Sequence, residues 1–446
     1  MKKSFLKAVF SFKTKILSPK LDDLHRSAVS NLQVRNLGDL NFKKRQELIK
    51  HALKHSPFYQ KKYEGLNFLN DGLLQNEDFT LLPPLTRSEL SKNFDSIRAN
   101  NIVGSDCRKA TTSGSTGSPI SVLHDCRHPE TPIRWRILDW WGVSPWENQA
   151  FIYRYQRPLM KRLRNRILWW PTQRIFLAAA NLNEKKINRF IRDFNNIKPS
   201  LLQGYVDVVF EFALYLLDNK IKIHPPKMVW VTSAPLFEAQ REIMEKAFGA
   251  PVCDQYGNTE ILLIAAECPE KKGLHVMHDT VHIEFVDKNN QPVPPNTTGK
   301  ILLTDLTNYA FPLIRYEIGD EGKFLDYTCS CGRPLPLMEN VRGRQTVNIK
   351  TPSGLLIRGE HLMAMFDGHM KVFKEIQLKQ EEDFSVDINY VPRKSDQEAK
   401  NSAQRMATLL KKRSRYEIEV TCRKIERINR TNTKTPLIIK IITISI

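Results

Sequence analysis

The first hundred residues carry apolar side chains at a helical spacing. In "FKKRQELIKHALKH" the apolar positions fall on one face of a helix. In "PLTRSELSKNF" Thr86 stands directly before a helical stretch, where its side chain can cap the first turn. Residues 1–100 are therefore predicted to be mostly helical.

Beyond residue 100, short apolar or β-branched runs alternate with helical stretches. Strand character is found in "PISVLH", "KMVWVTSA", "VHIEFVD" and "GKILLTDL", whereas "EAQREIMEKAFG" has helical character. This alternation is typical of an α/β architecture, in which helices cover a sheet.

The pattern changes again after Gly343. Strand-like "EIQLKQ" and "FSVDINYV" precede a helical "SDQEAKNSAQRMATLLKKR" and a strand-like "YEIEVTCRK", which together suit a small α+β domain. No internal repeat interrupts this order. The pattern divides the chain into segments 1–100, 101–343 and 344–446.

Composition supports a cytoplasmic protein of more than one domain. A chain of 446 residues, 41% of them hydrophobic, is long enough for about two or three domains. Lysines interrupt the first twenty residues, which therefore lack the apolar core of a signal peptide. No apolar run is long enough to span a membrane, and seven scattered cysteines fit a reducing compartment.

The formal net charge of +20 favours an anionic partner. Nucleic acid, an anionic membrane surface and nucleotides all remain open on charge alone. Lys and Arg are dispersed along the chain and no nucleic-acid motif is present, so nucleic acid is not expected. The amphipathic "FLKAVFSFKTKIL" could contact a membrane surface, although a solvated helix packed on the body is the favoured interpretation.

The stretch "TTSGSTGSPI", residues 111–120, has the composition of a phosphate-binding loop. Its flanks read as strands, so the stretch is predicted to be the tip of a hairpin. Glycines let successive N–H groups converge, and Ser and Thr hydroxyls add donors. It is not a Walker loop, because Gly117 is followed by Ser118 and Pro119 instead of Lys. An ordinary solvated turn is the alternative.

Four further stretches follow this loop in a particular order. They are "VTSAPL" at 231–236, "DQYGNTE" at 254–260, "FPLIRYEIGD" ending at Asp320 and "VRGR" ending at Arg344. This ordered set resembles the adenylate-forming (acyl- and aryl-CoA synthetase) superfamily, most closely the branch of phenylacetate-coenzyme A ligase and the CapK-like proteins of capsular polysaccharide biosynthesis. The resemblance runs from about residue 100 to the C-terminus. It implies an α/β fold with layered mixed sheets in a large N-terminal domain, plus a small mobile α+β C-terminal domain.

The resemblance implies that the chain is an enzyme using ATP and Mg²⁺. It would activate a small-molecule carboxylic acid to an acyl-adenylate, release pyrophosphate, and pass the acyl group to coenzyme A or to a sugar or carrier acceptor. Segment 1–100 would be the helical part of the large domain, 101–343 its ATP- and acyl-binding core, and 344–446 the small domain.

The resemblance also implies roles for individual residues. The hard Mg²⁺ ion, which prefers oxygen ligands, would be bound by Glu260, with Thr259 contacting phosphate beside it. Asp320 would accept hydrogen bonds from both ribose hydroxyls. The other residues expected to contact the nucleotide are Ser113, Gly114, Ser115, Thr116, Gly117, Ser233, Ala234, Tyr256 and Gly257.

The small domain departs from the family's pattern at two positions. In similar proteins the hinge reads Gly-Arg, two variable residues, then Asp, whereas "GRQTVNIK" keeps Arg344 but has Val347 in place of that Asp. The catalytic lysine is expected after Arg-Thr and a Gly-Lys pair, and "INRTNTKTPLIIK" offers Lys434, with Thr433 replacing Gly. These departures leave open a degenerate nucleotide-binding homologue without catalysis; a basic membrane-surface or polyanion-binding protein is the other alternative.

Four residues form a candidate metal site. "ECPEKKGLHV" supplies Cys268 and His275, and "TCSCGRP" supplies Cys329 and Cys331. Two pairs of such ligands fit tetrahedral structural Zn²⁺, and the Cys-x-Cys segment resembles zinc-binding members of the phenylacetate ligase branch. Burial of the cysteines as small apolar residues is the alternative.

The acyl site is less clearly marked. Six of the seven tryptophans lie between Trp135 and Trp170 and could line a pocket for an aryl or apolar acid, or pack in the core. "LLQGYVDVV" around Gly204 and Tyr205 resembles the family's pocket-lining segment. The sequence names neither the acid nor the oligomeric state, for which a dimer is one option.

Overall fold

The computed structural model describes residues 3–66, 74, 77–111, 120–153, 159–178, 184–341, 349–357, 362, 372–393, 395–428 and 438–440. Its helices, numbered along the chain, are α1 (Lys3–Leu17), α2 (Lys20–Ser30), α3 (Leu37–His55), α4 (Pro57–Lys62), α5 (Arg87–Lys92), α6 (Phe94–Ile97), α7 (Thr131–Trp140), α8 (Leu159–Trp169), α9 (Glu184–Ile197), α10 (Val206–Asp218), α11 (Glu238–Phe248) and α12 (Asp396–Arg413). Short 3₁₀ turns lie at Asn31–Gln33, Glu77–Leu81 and Gly104–Asp106.

The strands form several separate sheets. They are β1 (Cys107–Thr111), β2 (Ser121–Asp125), β3 (Gln149–Tyr153), β4 (Arg174–Ala178), β5 (Leu201–Tyr205), β6 (Met228–Thr232), β7 (Val252–Tyr256), β8 (Ala265–Glu267), β9 (Leu274–Val276), β10 (Val281–Val286), β11 (Gly299–Asp305), β12 (Tyr316–Gly322), β13 (Leu337–Met338), β14 (Ile349–Lys350), β15 (Leu356–Ile357), β16 (Phe373–Gln380), β17 (Val386–Pro392), β18 (Val420–Lys424) and β19 (Ile438–Lys440). The predicted α/β fold with a large mixed sheet is confirmed.

The largest sheet has the strand order β13-β9-β8-β7-β6-β5-β3-β4. Strands β3 to β7 pair in parallel, and the remaining strands pair antiparallel beyond β7. Parallel neighbours need crossover connections, and α10 and α11 supply them before β6 and β7. The carboxyl ends of five strands therefore meet at one edge of this sheet.

Both faces of the parallel part are covered. On one face Ile152 and Val231 pack with α9, α10 and α11. On the other face Leu201 and Trp230 pack with α7. Burial on both sides explains why these strands read as continuous apolar runs, such as "MVWV", instead of alternating.

Helices α3, α4 and α5 share a buried cluster with a second sheet, β10-β11-β12. Leu48 and Ile49 of α3 share a buried cluster with Ile283 and Phe285 of β10. The predicted N-terminal cap is confirmed, because Thr86 and Glu89 form a reciprocal capping box at the start of α5. The predicted hairpin is also confirmed, since β1 pairs antiparallel with β2 from Cys107 and Asp125 to Thr111 and Ser121.

The C-terminal elements have a buried cluster of their own. The sheet β18-β17-β16-β19 packs with α12, as the sequence predicts for an α+β segment. Phe237 joins this cluster from the start of α11, and Arg393 donates two hydrogen bonds to the carboxylate of Glu211 in α10, at 2.5 and 2.7 Å. The boundary proposed between residues 343 and 344 stays a prediction. Among the described residues, no helix combines the length and apolar character needed to cross a membrane.

A buried ion pair fixes α7 beside the β9–β10 connection. Arg136 of α7 donates to both carboxylate oxygens of Asp279, at 2.8 and 2.9 Å, and both side chains are almost fully buried. Burial alone would raise the pKa of Asp279, but attraction and hydrogen bonds from Arg136 outweigh it and hold the pKa below its usual value. Because removal of one partner leaves a buried charge uncompensated, the pair is costly to break.

Replacing Asp279 by Asn should lower the free energy of unfolding by about 3–5 kcal/mol. Since the folded-state pKa of Asp279 is depressed, its contribution is present at neutral pH and is lost as pH falls through that folded value. Urea unfolding measures both effects. Asp139→Asn, at an exposed position paired with His25, is the matched control and should change stability by less than about 1 kcal/mol. Equal changes in the free energy of unfolding for the two substitutions would contradict the stabilising role of the Arg136–Asp279 ion pair.

Candidate functional site

The carboxyl ends of the parallel strands form one edge of the large sheet, called the crevice edge below. β3, β5, β6 and β7 each consist of four buried residues and one partly exposed last residue: Tyr153, Tyr205, Thr232 and Tyr256. Open α/β sheets bind their ligands outside the carboxyl ends of the strands. This edge is therefore the candidate site.

Two of the predicted nucleotide-binding segments lie side by side at this edge. Thr232 and Gln255 are register partners, and the Thr232 hydroxyl donates to the Gln255 carbonyl at 3.0 Å. Ser233 and Ala234 follow β6 and are exposed. Ser233 has a φ of 78°, a conformation that costs energy for a residue with a side chain and is often found at functional sites.

The turn after β7 carries Thr259 and Glu260. Its N–H groups are bonded within the turn: Asn258 donates to the Ile261 carbonyl at 3.0 Å, and Ile261 donates to the Asn258 side chain at 2.6 Å. A Cβ on Gly257 would clash with the Leu262 carbonyl, so only glycine fits at this position. The turn thereby fixes the direction in which Glu260 leaves the sheet.

Two reciprocal hydrogen bonds join this turn to β12. The Tyr256 hydroxyl donates to Asp320 at 2.9 Å, and the Tyr316 hydroxyl donates to Glu260 at 3.2 Å. Each chain segment thus contributes one tyrosine and one carboxylate. Burial, and next the nearby Glu260 carboxylate, raise the pKa of Tyr316, so its hydroxyl stays protonated and able to donate. The structure brings Tyr256, Glu260 and Asp320 together, as the motifs predict.

Glu260 also has a cationic neighbour. The Arg87 guanidinium, at the start of α5, lies 3.8 Å from a carboxylate oxygen of Glu260, whose side chain is 7% exposed. A carboxylate anchored in this way has oxygen lone pairs left for a hard cation such as Mg²⁺. Arg87 and Tyr316 were not predicted as site residues, although both lie inside the stretches "PLTRSELSKNF" and "FPLIRYEIGD".

The β1–β2 hairpin contacts the same turn. His124 of β2 donates from Nε2 to the Thr259 carbonyl at 3.0 Å, and burial lowers the pKa of His124. The hairpin that carries the predicted phosphate loop is thereby tied to the turn that carries Glu260. Several predicted site residues lie outside the described residues: Ser113, Gly114, Ser115, Thr116, Gly117, Arg344 and Lys434, together with Val347 and Thr433.

The four predicted metal ligands converge. Each residue offers one ligand atom: the Sγ atom of Cys268, Cys329 or Cys331, or a ring nitrogen of His275. These four atoms all lie within 4.8 Å of one another. The Cys268 and Cys329 sulfurs are 3.7 Å apart, and the Cys331 sulfur is 3.4 Å from His275 Nε2. A tetrahedral ion with Zn–S of about 2.3 Å and Zn–N of about 2.0 Å needs separations of roughly 3.7 and 3.5 Å.

The protonation chemistry of this cluster suits a cation. Burial lowers the pKa of His275 to about 4, helped by the Arg333 cation, so its imidazole is neutral and able to ligate. Burial raises the pKa of Cys268 to about 12, so a thiolate there needs a positive charge beside it. The donor set of three sulfurs and one nitrogen fits zinc.

The tryptophans divide between core and surface. Trp135 and Trp141 pack in the buried cluster between α7 and the large sheet, whereas Trp170 is exposed. Gly204 and Tyr205 end β5 at the crevice edge, and a Cβ on Gly204 would clash with the Ile152 carbonyl of β3. The predicted pocket-lining segment therefore reaches the candidate site.

Known proteins resemble the chain in sequence and in fold. No family model matches it. It is 23% identical to the protein CapK of Staphylococcus aureus over 64% of this chain and 62% of CapK, less than two thirds of that protein. It is 24% identical to the phenylacetate-coenzyme A ligase of Escherichia coli K12 over 77% of each chain. A 2-hydroxyisobutyryl-CoA ligase solved with an acyl-AMP in the postadenylation state superposes with a TM-score of 0.72, at 17% identity over 90% of this chain and 88% of that one.

These likenesses confirm the resemblance that the motif order predicts. The sequence relatives are the phenylacetate ligase and CapK branch, and they agree with the predicted class of enzyme, an AMP-forming ligase. The structural neighbour, at 17% identity, confirms the fold.

Removing the Tyr316 hydroxyl should weaken the junction between the turn and β12. Tyr316→Phe leaves one buried Glu260 oxygen without its donor, so the free energy of unfolding should fall by roughly 1–3 kcal/mol, measured by urea denaturation. Tyr416→Phe, at an exposed position, is the control and should be neutral. A Tyr316→Phe protein as stable as the wild type would show that the bond contributes nothing.

Proposed function

We propose that this relative of the adenylate-forming ligases activates a carboxylic acid with ATP. A carboxylate oxygen of the acid attacks the α-phosphorus, and the bond to the oxygen bridging towards the β-phosphate breaks, so that pyrophosphate leaves with the electron pair. The acceptor then loses its proton and attacks the acyl carbon, and AMP leaves. The observation that carries this proposal is the reciprocal pairing of Tyr256 with Asp320 and of Tyr316 with Glu260 at the carboxyl ends of the sheet.

The proposed roles follow from the position of each side chain. Asp320 accepts hydrogen bonds from the ribose hydroxyls, and the Tyr256 hydroxyl orients its carboxylate. Glu260 binds Mg²⁺, whose positive charge stabilises the departing pyrophosphate. Thr259 contacts phosphate from the same turn. The exposed Ser233 and Ala234 and the backbone of Gly257 border the nucleotide.

The remaining groups are proposed from the motifs. Donors of Ser113–Gly117 hold the β- and γ-phosphates at the end of a hairpin that His124 ties to the Thr259 turn. Lys434 neutralises charge during adenylation when the small domain closes, and Arg344 lies just before the hinge. Val347, in place of the hinge Asp, bears on this closure more than on nucleotide binding.

We propose that coenzyme A, a sugar or a carrier accepts the acyl group, and that the reaction takes place in the cytoplasm. The name phenylacetate-coenzyme A ligase supports a thioester product. The proposed role in surface polysaccharide biosynthesis rests on the resemblance of the motifs to the CapK-like branch. A degenerate homologue without catalysis is the competing function. ATP–pyrophosphate exchange with a panel of acids separates the two, because a protein that only binds nucleotide gives no exchange.

A structural zinc ion is proposed at Cys268, His275, Cys329 and Cys331. The convergence of their ligand atoms supports it. The ion would connect β9 and the segment after β8 to the loop before β13, which holds the antiparallel end of the large sheet together. This position lies beyond the parallel strands, so the ion supplies structure and not Lewis acidity.

Glu260→Gln should lower the rate of ATP–pyrophosphate exchange by roughly 10²–10³-fold, because an electrostatic stabiliser of the transition state is lost. Glu242→Gln, on the exposed face of α11, is the matched control and should keep full exchange. Unfolding midpoints of both variants check that they fold. Full exchange by the Glu260 variant would refute its role.

Protein purified without chelator should contain about one zinc ion per chain. Cys331→Ser should lose the ion and unfold at a lower temperature, whereas Cys422→Ser, outside the cluster, should keep it. Elemental analysis provides the measurement. Wild-type protein free of metal, or equal zinc in both variants, would contradict the site.

A further inference from the structure

Arg134 carries an unmatched positive charge into the interior. It lies on α7, which covers one face of the large sheet, and its guanidinium stands 4.9 Å from the centre of the Trp230 ring. Among the described residues its side chain has no hydrogen bond and no carboxylate within ion-pair distance. Glu130, one turn earlier on the chain, is 3.9 Å from Arg108 instead. A cation–π contact supplies none of the acceptors that the five guanidinium N–H donors can use.

The surroundings of Arg134 combine burial with access to solvent. Burial lowers the pKa of Arg134, while Tyr153 and Glu130 act to raise it. The Arg134 side chain nonetheless keeps part of its surface accessible. An uncompensated buried charge is costly, so an anion placed beside the Arg134 guanidinium would be bound strongly.

Two further polar atoms in the same layer lack partners. Trp230 Nε1 and Gln203 Oε1 are buried, and neither has a hydrogen-bond partner among the described residues. Gln203 of β5 and Trp230 of β6 are register partners, so their side chains leave the sheet side by side on the face that α7 covers. Rotation of the Gln203 amide turns its N–H₂ towards the same space. A carboxylate there could accept from Arg134, Trp230 and Gln203.

This layer lies directly beneath the crevice edge. Gln203 and Trp230 each precede by two residues the strand ends at Tyr205 and Thr232, which is about 7 Å along the strands. A ligand whose reactive carboxylate lies at the crevice edge reaches the layer through a short spacer.

We propose that the acid activated by this protein carries a second carboxylate, bound by Arg134 with Trp230 and Gln203. This inference rests on the proposed adenylation and names its substrate class as short dicarboxylic acids. The planar guanidinium fits a carboxylate with two parallel hydrogen bonds, and the buried donors penalise an acid that lacks the second charge. Arg134 is then the residue that sets specificity.

The test is ATP–pyrophosphate exchange by the full-length protein with three series of acids. The series are saturated dicarboxylic acids of increasing length, their monomethyl esters, and monocarboxylic acids of equal length. For the best diacid, kcat/KM should exceed that of its monoester by at least about 10²-fold. Monoesters or monocarboxylic acids that react as well as the diacids would overturn this inference and leave the proposed function intact. Exchange with no acid would overturn both.

Two variants test whether Arg134 recognises the second carboxylate. Arg134→Gln should lose the preference for diacid over monoester, whereas Arg192→Gln, on the exposed face of α9, should keep it. If Arg134→Gln does not fold, thermal stabilisation of the wild-type protein provides the second measurement. Diacid with MgATP should raise the melting temperature more than the monoester does, and equal shifts would refute the proposal. An Arg134→Gln protein that folds and keeps the diacid preference would equally refute it.

Discussion

Two phenol–carboxylate hydrogen bonds hold the candidate site together. They join the turn after β7, in the large parallel sheet, to β12 of the second sheet, and each side supplies one tyrosine and one carboxylate. Without them Glu260 and Asp320 would each lose a hydrogen-bond donor while partly withdrawn from water, which is unfavourable. The relative position of the two sheets therefore fixes the distance between the proposed metal ligand and the proposed ribose ligand.

The interior balances most of its buried charges in pairs. Arg136 binds Asp279, Arg241 binds Glu267 and Arg315 binds Glu284, each with the carboxylate at about 3 Å. Removal of one partner of such a pair lowers the stability of the folded protein strongly, because the other charge is left buried and uncompensated. Against this pattern Arg134 is distinctive, because among the described residues it has no carboxylate within ion-pair distance and lies against Trp230 of β6. The contrast between paired and unpaired arginines is the physical basis for the proposed diacid substrate.

The candidate nucleotide site and the candidate metal cluster lie at different ends of the large sheet. The parallel strands β3 to β7 present their carboxyl ends at the crevice edge, while the antiparallel strands β8, β9 and β13 border the four converging Cys and His ligands. Short antiparallel strands of two or three residues contribute few backbone hydrogen bonds. A tetrahedral ion that links them would compensate for this, since metal binding at such a site contributes directly to folding.

The sequence alone determined the local elements and the chemistry of single segments. Periodicity and capping predicted several helices, the Thr86 cap and strands such as β2, β6, β10 and β11, because these depend on residues within a few positions of one another. The order of the motifs predicted Tyr256, Glu260 and Asp320, and two Cys/His pairs predicted the ligand cluster. The tertiary structure alone decided that Arg87 and Tyr316 meet Glu260, and that Arg134 stands unpaired over Trp230. These contacts join residues from about 60 to more than 170 positions apart, and no local pattern encodes which distant side chains share a space; only the packing of the two sheets and α7 does.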